Sequence, residues 1–108
     1  MPTNDYLGYI LAQLPDKLSL KGLIHPDIKT FSLSDEKYHT KYNLTLRIYL
    51  QCGRNAQQAA DKLKIRKSSF FYRIGKMKEL VDFSLEDSDK LLAYEISYHI
   101  MDFLTSNG

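Results

Sequence analysis

Residues 55 to 78, NAQQAADKLKIRKSSFFYRIGKMK, constrain this 108-residue chain more than any other stretch. Ala56, Ala59, Ala60 and Leu63 recur at i, i+3, i+4 and i+7, the spacing of one helix face. Asn55 stands just before them as an N-cap, because its side-chain oxygen accepts a free backbone N–H. A face built mostly of alanine lets a second helix approach closely, and a large residue near Ala60 would push the two apart. Lys64-Ile65-Arg66 then forms a turn, with Ile65 as its apolar plug. Phe70, Ile74, Met77 and Val81 follow at intervals of four, three and four. At about 100° per residue they gather on one side of a second helix. The pattern predicts helix, tight turn, helix.

Ser68, Tyr72, Gly75 and Glu79 then point away from the packed side, flanked by Ser69, Phe71 and Lys76. A small first helix, a plugged turn, a hydroxyl pair opening the second helix and basic residues after it form the layout of a DNA-reading helix-turn-helix. In such a motif the N-terminal part of the second helix lies in the major groove. Lys67, Ser68, Phe71 and Tyr72 are therefore candidates for base edges: lysine bonds guanine acceptors, serine several edges, and an aromatic ring touches the thymine methyl. Ser69, Arg73 and Lys76 are placed for phosphates, as are Asn55 and Gln57 at the start of the first helix. Arg66, at the turn, joins the DNA-binding set. The competing reading is an ordinary helical hairpin with a solvated basic face.

Charge is sorted along the chain. The net formal charge is only +2, but residues 52 to 80 hold eight Lys or Arg against Asp61 and Glu79. Residues 81 to 108 hold six acidic residues against Lys90. A basic block coinciding with the motif is the footprint of a phosphate-contacting surface, and the acidic C-terminal segment should face away from a duplex.

The length suits one domain, residues 1–108, with N-terminal helices over 1–39, a core over 40–81 holding the helix-turn-helix at 55–78, and a linker plus closing helix over 82–108. No apolar run approaches a membrane span, and MPTNDYLGYILAQL lacks the basic start of a secretory signal. One cysteine, Cys52, excludes an internal disulfide and suits a reducing cytoplasm. His25, His39 and His99 lack ligand-type neighbours, so no metal site is expected. There is no glycine-rich phosphate loop, Ser68-Ser69 has no nearby histidine to serve as a base, and Asp35-Glu36 and Glu86-Asp87 read as helix-start acids. No catalytic residue and no cofactor is expected, and an enzyme reading has no positive support.

Helical spacing covers the rest of the chain. Asn4 caps an amphipathic segment ending at Pro15, with Leu7, Ile10, Leu11 and Leu14 as its stripe. Pro26 opens a helix to about Lys37 with Ile28, Phe31 and Leu33 inward, although Ser34-Asp35-Glu36 offers an alternative restart. Thr40 caps a helix carrying Leu44, Ile48 and Leu50 that stops at Gly53. Phe83 and Leu85 tuck in from the linker. Ser88 with Asp89 caps a last helix to about Leu104, with Leu92, Ile96, Ile100 and Phe103 inward and Leu91 beside them. Of eight tyrosines, Tyr6, Tyr9, Tyr38, Tyr42, Tyr49, Tyr94 and Tyr98 are expected half-buried, ring packed and hydroxyl wet, while Tyr72 falls on the reading face. The expected fold class is all-α, five or six helices around a central helix-turn-helix.

From Tyr42 to Phe103 the order of features resembles the C-terminal DNA-binding domain of the PucR/CdaR-type regulators of purine catabolism and sugar diacids. LTLRIYLQCGRN at 44–55, AADKL at 59–63, SSFFYRI at 68–74 and KELVDFSLEDSDKLLAYEI at 78–96 carry it. Tyr72-Arg73-Ile74 takes the place of the family's Tyr-Arg-Leu, and Ser68-Ser69 that of Asn-Thr. The motif is also similar to that of Fis-type nucleoid proteins. Arg66 stands where the family usually has histidine, Phe71 and Gly75 replace frequently basic positions, and Val81-Asp82 lacks the linker glycine. The resemblance implies a sequence-specific domain of a bacterial-type transcription regulator, with a recognition helix at about 67–78. The expected partners are double-stranded DNA and a second copy in a homodimer. It also implies that any small-molecule effector is sensed outside these residues, in a longer protein of which this chain is the C-terminal piece, or else that the chain is a short stand-alone relative. The alternative is a helical interaction or dimerisation module that no longer binds DNA. RNA is the weaker third reading, since a helix that reads a major groove cannot enter that of an A-form duplex.

Overall fold

The structure, a computed structural model, describes residues 8–10, 12–13 and 20–107. Among the described residues five helices run from residue 26 onward: α1 (Pro26–Tyr38), α2 (Tyr42–Gln51), α3 (Ala56–Leu63), α4 (Lys67–Leu80) and α5 (Ser88–Asn107). Residues 8–10, 12 and 20–21 are also helical, and no strand occurs among the described residues. The all-α expectation holds. Of the N-terminal stripe, Leu7, Leu11 and Leu14 lie outside the described residues, as do Asn4 and Tyr6, while Ile10 is exposed.

Each helix starts where a side chain can take its free N–H groups, except one. His25 caps α1: its Nδ1 accepts from the Asp27 N–H at 3.0 Å, and Pro26 fills the first turn, where a missing N–H costs nothing. α1 does not restart at Ser34. It runs unbroken to Tyr38 and ends at His39 in the left-handed region, φ 57°. Asp35 instead reaches forward and caps α2. Its Oδ1 accepts from the Tyr42 N–H at 2.9 Å and its Oδ2 from the Asn43 N–H at 3.1 Å. Thr40, expected to be that cap, donates its hydroxyl to the same carboxylate. With two oxygens and a negative charge, the carboxylate takes both backbone donors and the Thr40 hydroxyl together. We expect Asp35→Ala to lower stability by about 1–2 kcal/mol, read as a lower midpoint in urea unfolding with unchanged slope.

One core joins all five helices: Ile28, Phe31, Leu46, Tyr49, Leu50, Ala59, Ala60, Phe70, Ile74, Met77, Leu91, Tyr94 and Tyr98, with Phe83 from the linker. Leu85, Ile65 and Val81 pack on its margin. Leu20 and Ile100 form a smaller cluster with Ile24, Phe103 and Leu104. Three expectations about faces are corrected. Leu33 is 68% exposed, because Ile28 and Phe31 already present α1's packed side. α2 buries Thr45, Leu46, Tyr49 and Leu50 and leaves Leu44 exposed, since it is packed against α1, α3, α4 and α5 and its inner face is set by all four. On α5 the inner face is Leu91, Tyr94, Ser97, Tyr98 and Ile100, while Leu92 and Ile96 face out.

Tyrosine drives that rotation of α5. Tyr94 donates to Asp27 Oδ2, and Tyr98 donates to Asn43 Oδ1 at 2.8 Å, so both phenols are buried with their hydroxyls satisfied inside the protein. Tyr49 is buried as well, whereas Tyr9 and Tyr38 are exposed and Tyr42 is half-buried. Arg47 stacks over the Tyr98 ring at 4.6 Å and grips Asp102 with two contacts of 2.9 Å, which fixes the far half of α5 to α2. The last helix is capped by Asp87 and not by the expected Ser88, which lies inside the first turn: Asp87 Oδ1 accepts from the Lys90 N–H at 3.1 Å.

Candidate nucleic-acid interface

The helix-turn-helix is α3, the turn Lys64-Ile65-Arg66, and α4. Asn55 Oδ1 accepts from the Gln58 N–H at 2.9 Å, the cap read from sequence. Ala59 and Ala60 are fully buried, so α3 sits close against both α2 and α4. Lys64 closes α3 in the left-handed region, φ 59°, and the Ile65 N–H returns to Ala60 O at 3.0 Å, turning the chain within three residues. Ile65 is half-buried on the core.

α4 is anchored from behind by Phe70, Ile74 and Met77, all buried. Val81, the fourth residue of the expected stripe, lies just past the helix and is only half-buried. Phe70 leans on Tyr49, centroids 5.6 Å apart, and holds Phe71 edge-on at 5.3 Å. Phe71 is nevertheless 46% exposed and Tyr72 68% exposed, two large rings left in water on the outer face. Arg66, Lys67, Ser68 and Ser69 are exposed too, and no described residue bonds to their side chains. α4 also carries no side-chain cap and no acidic residue in its first turn. Its N-terminal N–H groups and dipole therefore add to the positive potential of the lysine and arginine beside them.

The remaining expected residues are partly committed inside the protein. Arg73 is half-buried and donates to Thr45 Oγ1 at 2.8 Å, tying α4 to the first turns of α2. Lys76 lies 3.6 Å from Glu79 and 5.7 Å from the Tyr72 ring, both exposed arrangements worth little energy. Gln57 donates to Asp61 Oδ1 at 3.0 Å along α3. Gly75 sits on the open face, and a Cβ there would meet nothing within 4 Å, so no close approach within the chain requires the glycine.

The pattern of the PucR C-terminal helix-turn-helix domain matches residues 44–100, more than half of the chain. The chain belongs to that family. Comparison with curated proteins and with solved structures gives no match. The PucR match begins in α2 and ends in α5, so it contains the whole motif and the helices that hold it. PucR-type helix-turn-helix domains are a class of DNA-binding domains of transcription regulators, not a family of enzymes. No described helix is long and apolar enough to cross a membrane.

Sequence reasoning missed the residues that stand beside α4 from the other end of the domain. His39 and Lys41, in the connection between α1 and α2, line a groove with Tyr72, Arg73 and Lys76. No spacing rule connects positions 39 and 76. Only the packing of α2 against α4 brings them together.

Proposed function

We propose that this chain is the sequence-specific DNA-binding domain of a transcription regulator, with α4 as recognition helix in the major groove. The observation that carries the reading is the front of α4: an uncapped, acid-free first turn in which Arg66, Lys67, Ser68 and Ser69 are exposed with no side-chain bond to any described residue, on a helix clamped from behind by three buried residues. A rigid helix spends no ordering entropy on entering the groove, and its free donors are available to the duplex. Lys67, Ser68, Phe71 and Tyr72 address base edges, while Arg66, Ser69, Arg73 and Lys76, with Asn55 and Gln57, address phosphates. The acids of the C-terminal segment support this orientation, because Asp102 pairs with Arg47 of α2 and none is bonded to α4. Residues 1–108 act as one domain. Two copies pair in the cytoplasm and engage half-sites about 34–36 Å apart, and an effector, where one exists, acts on a region outside this chain.

Anisotropy titration of labelled duplexes tests the reading. With about five phosphates neutralised, log affinity falls against log salt with a slope near −4 to −5. Lys67→Ala and Tyr72→Ala shift the preferred sequence, because both side chains are exposed and bear no structural load. Salt-insensitive binding, or self-association with no duplex binding at low salt, would instead favour the interaction module that the exposed Phe71 ring suits.

A further inference from the structure

We infer that the connection between α1 and α2 is a second phosphate-contacting element, with Lys41 and His39 gripping the DNA strand that runs along one flank of α4. The inference rests on the proposed function and extends it to residues outside the helix-turn-helix.

A helix in a major groove about 12 Å wide lies between two phosphate strands. At about 100° per residue, Lys67, Phe71 and Lys78 occupy one flank of α4 and Ser69, Arg73 and Lys76 the other. The second flank faces the connection across a groove of about 420 Å³. Two cations of α4, Arg73 and Lys76, meet Lys41 and the His39 imidazole there, and no acidic residue lines the groove. The nearby Asp35 is turned to Thr40 and to the α2 backbone, so its carboxylate is already occupied by donors. Arg73 is pinned by Thr45, which holds the floor of the groove still. Lys41 is exposed, and no described residue bonds to its side chain. A concave surface edged by the unbonded Lys41, and by Arg73 and Lys76, whose contacts to Thr45 and to the exposed Glu79 leave donors over, suits a sugar-phosphate backbone beside the helix that enters the duplex. Lysine contributes a point charge without base information, so the contact positions the domain and does not select sequence.

The test uses the intact chain and short duplexes of selected and of random sequence. Lys41→Gln is compared with His39→Asn/Lys41→Gln and with Lys29→Gln, which removes the same charge from the exposed surface of α1 outside the groove. Asparagine is chosen at 39 because it tolerates the left-handed backbone there. Circular dichroism and thermal melting verify that each variant is folded. Lys41→Gln should weaken binding to every duplex alike, on the order of eightfold at about 100 mM monovalent salt, and make the salt slope shallower by about 0.9. The double variant should lose more, and Lys29→Gln should keep the parent slope. Variants at 41 and 39 with parent affinity and slope would overturn the inference while leaving the proposed function standing. A loss confined to some sequences would overturn the phosphate assignment. If the parent chain binds no duplex at any salt, the proposed function fails and takes this inference with it.

Discussion

Truncating Phe70 to alanine should cost about 3–5 kcal/mol of folding stability, the largest effect of any single change in the motif. Phe70 is fully buried on α4, against Tyr49 of α2 and beneath Phe71. Removing its ring deletes the transfer energy of the side chain and leaves a cavity that the clamped helices cannot collapse to fill. For a domain of this size the loss corresponds to a melting temperature lower by roughly 15–30 °C, measured by circular dichroism at 222 nm. The same change frees Phe71 from its edge contact and loosens α4, so the remaining folded protein should also bind duplex more weakly. Phe71→Ala provides the contrast: its ring is nearly half exposed, so stability should fall far less. A Phe70→Ala protein melting with the parent would mean that α4 is not held as described.

Raising the pH above about 10 should progressively destabilise the protein. Burial pushes the Tyr94 phenol far above its ordinary value of 10.0, reinforced by its hydrogen bond to Asp27 and by the Asp27 and Asp87 charges. Burial does the same for Tyr98 against the opposing charge of Arg47, and raises Tyr49 against that of Arg54. The folded state keeps these phenols protonated while the unfolded chain releases their protons near pH 10. Their contribution is therefore fully present below that pH and drains away above it. Each phenol that stays protonated removes about 1.4 kcal/mol per pH unit, so Tyr94 and Tyr98 alone account for about 3 kcal/mol by pH 11. Urea midpoints measured from pH 8 to 11, with tyrosinate absorbance followed in parallel, check this. All eight tyrosines share one absorbance, so Tyr94→Phe and Tyr98→Phe serve as controls: tyrosinate absorbance of the still-helical protein that either change lowers would contradict the buried, hydrogen-bonded placement of these rings.

The part of the fold most legible in sequence is the part held by local rules. Asn55 capping α3, the alanine face, the turn at 64 to 66 and the stripe Phe70, Ile74, Met77 depend on neighbours within a helix turn or two, so spacing alone reveals them. α2 and α5 were less legible. Leu44, Leu92 and Ile96 keep helical spacing as well as Phe70 and Ile74 do, yet they face water. The inner face of α5 went to Tyr94 and Tyr98 because Asp27 and Asn43 stand where their hydroxyls end. Residue type does not announce such partners, 67 and 55 positions away. The Asp35 cap shows the same limit at shorter range. A carboxylate on one helix serves the start of the next, and Thr40, the nearer candidate, only joins it.

From its amino-acid order alone this chain settled that it would be helical, where its paired helices meet, which family it belongs to and which cations α4 carries. These follow from periodicity, capping and charge, whose reach along the chain is short. The tertiary structure decided which side of α2 and α5 is inside, that Arg73 is tied to Thr45, and that His39 and Lys41 stand beside α4. Those outcomes come from packing among elements distant in sequence, where the winning arrangement is the one that satisfies buried hydroxyls and charges together, and no local pattern encodes that competition.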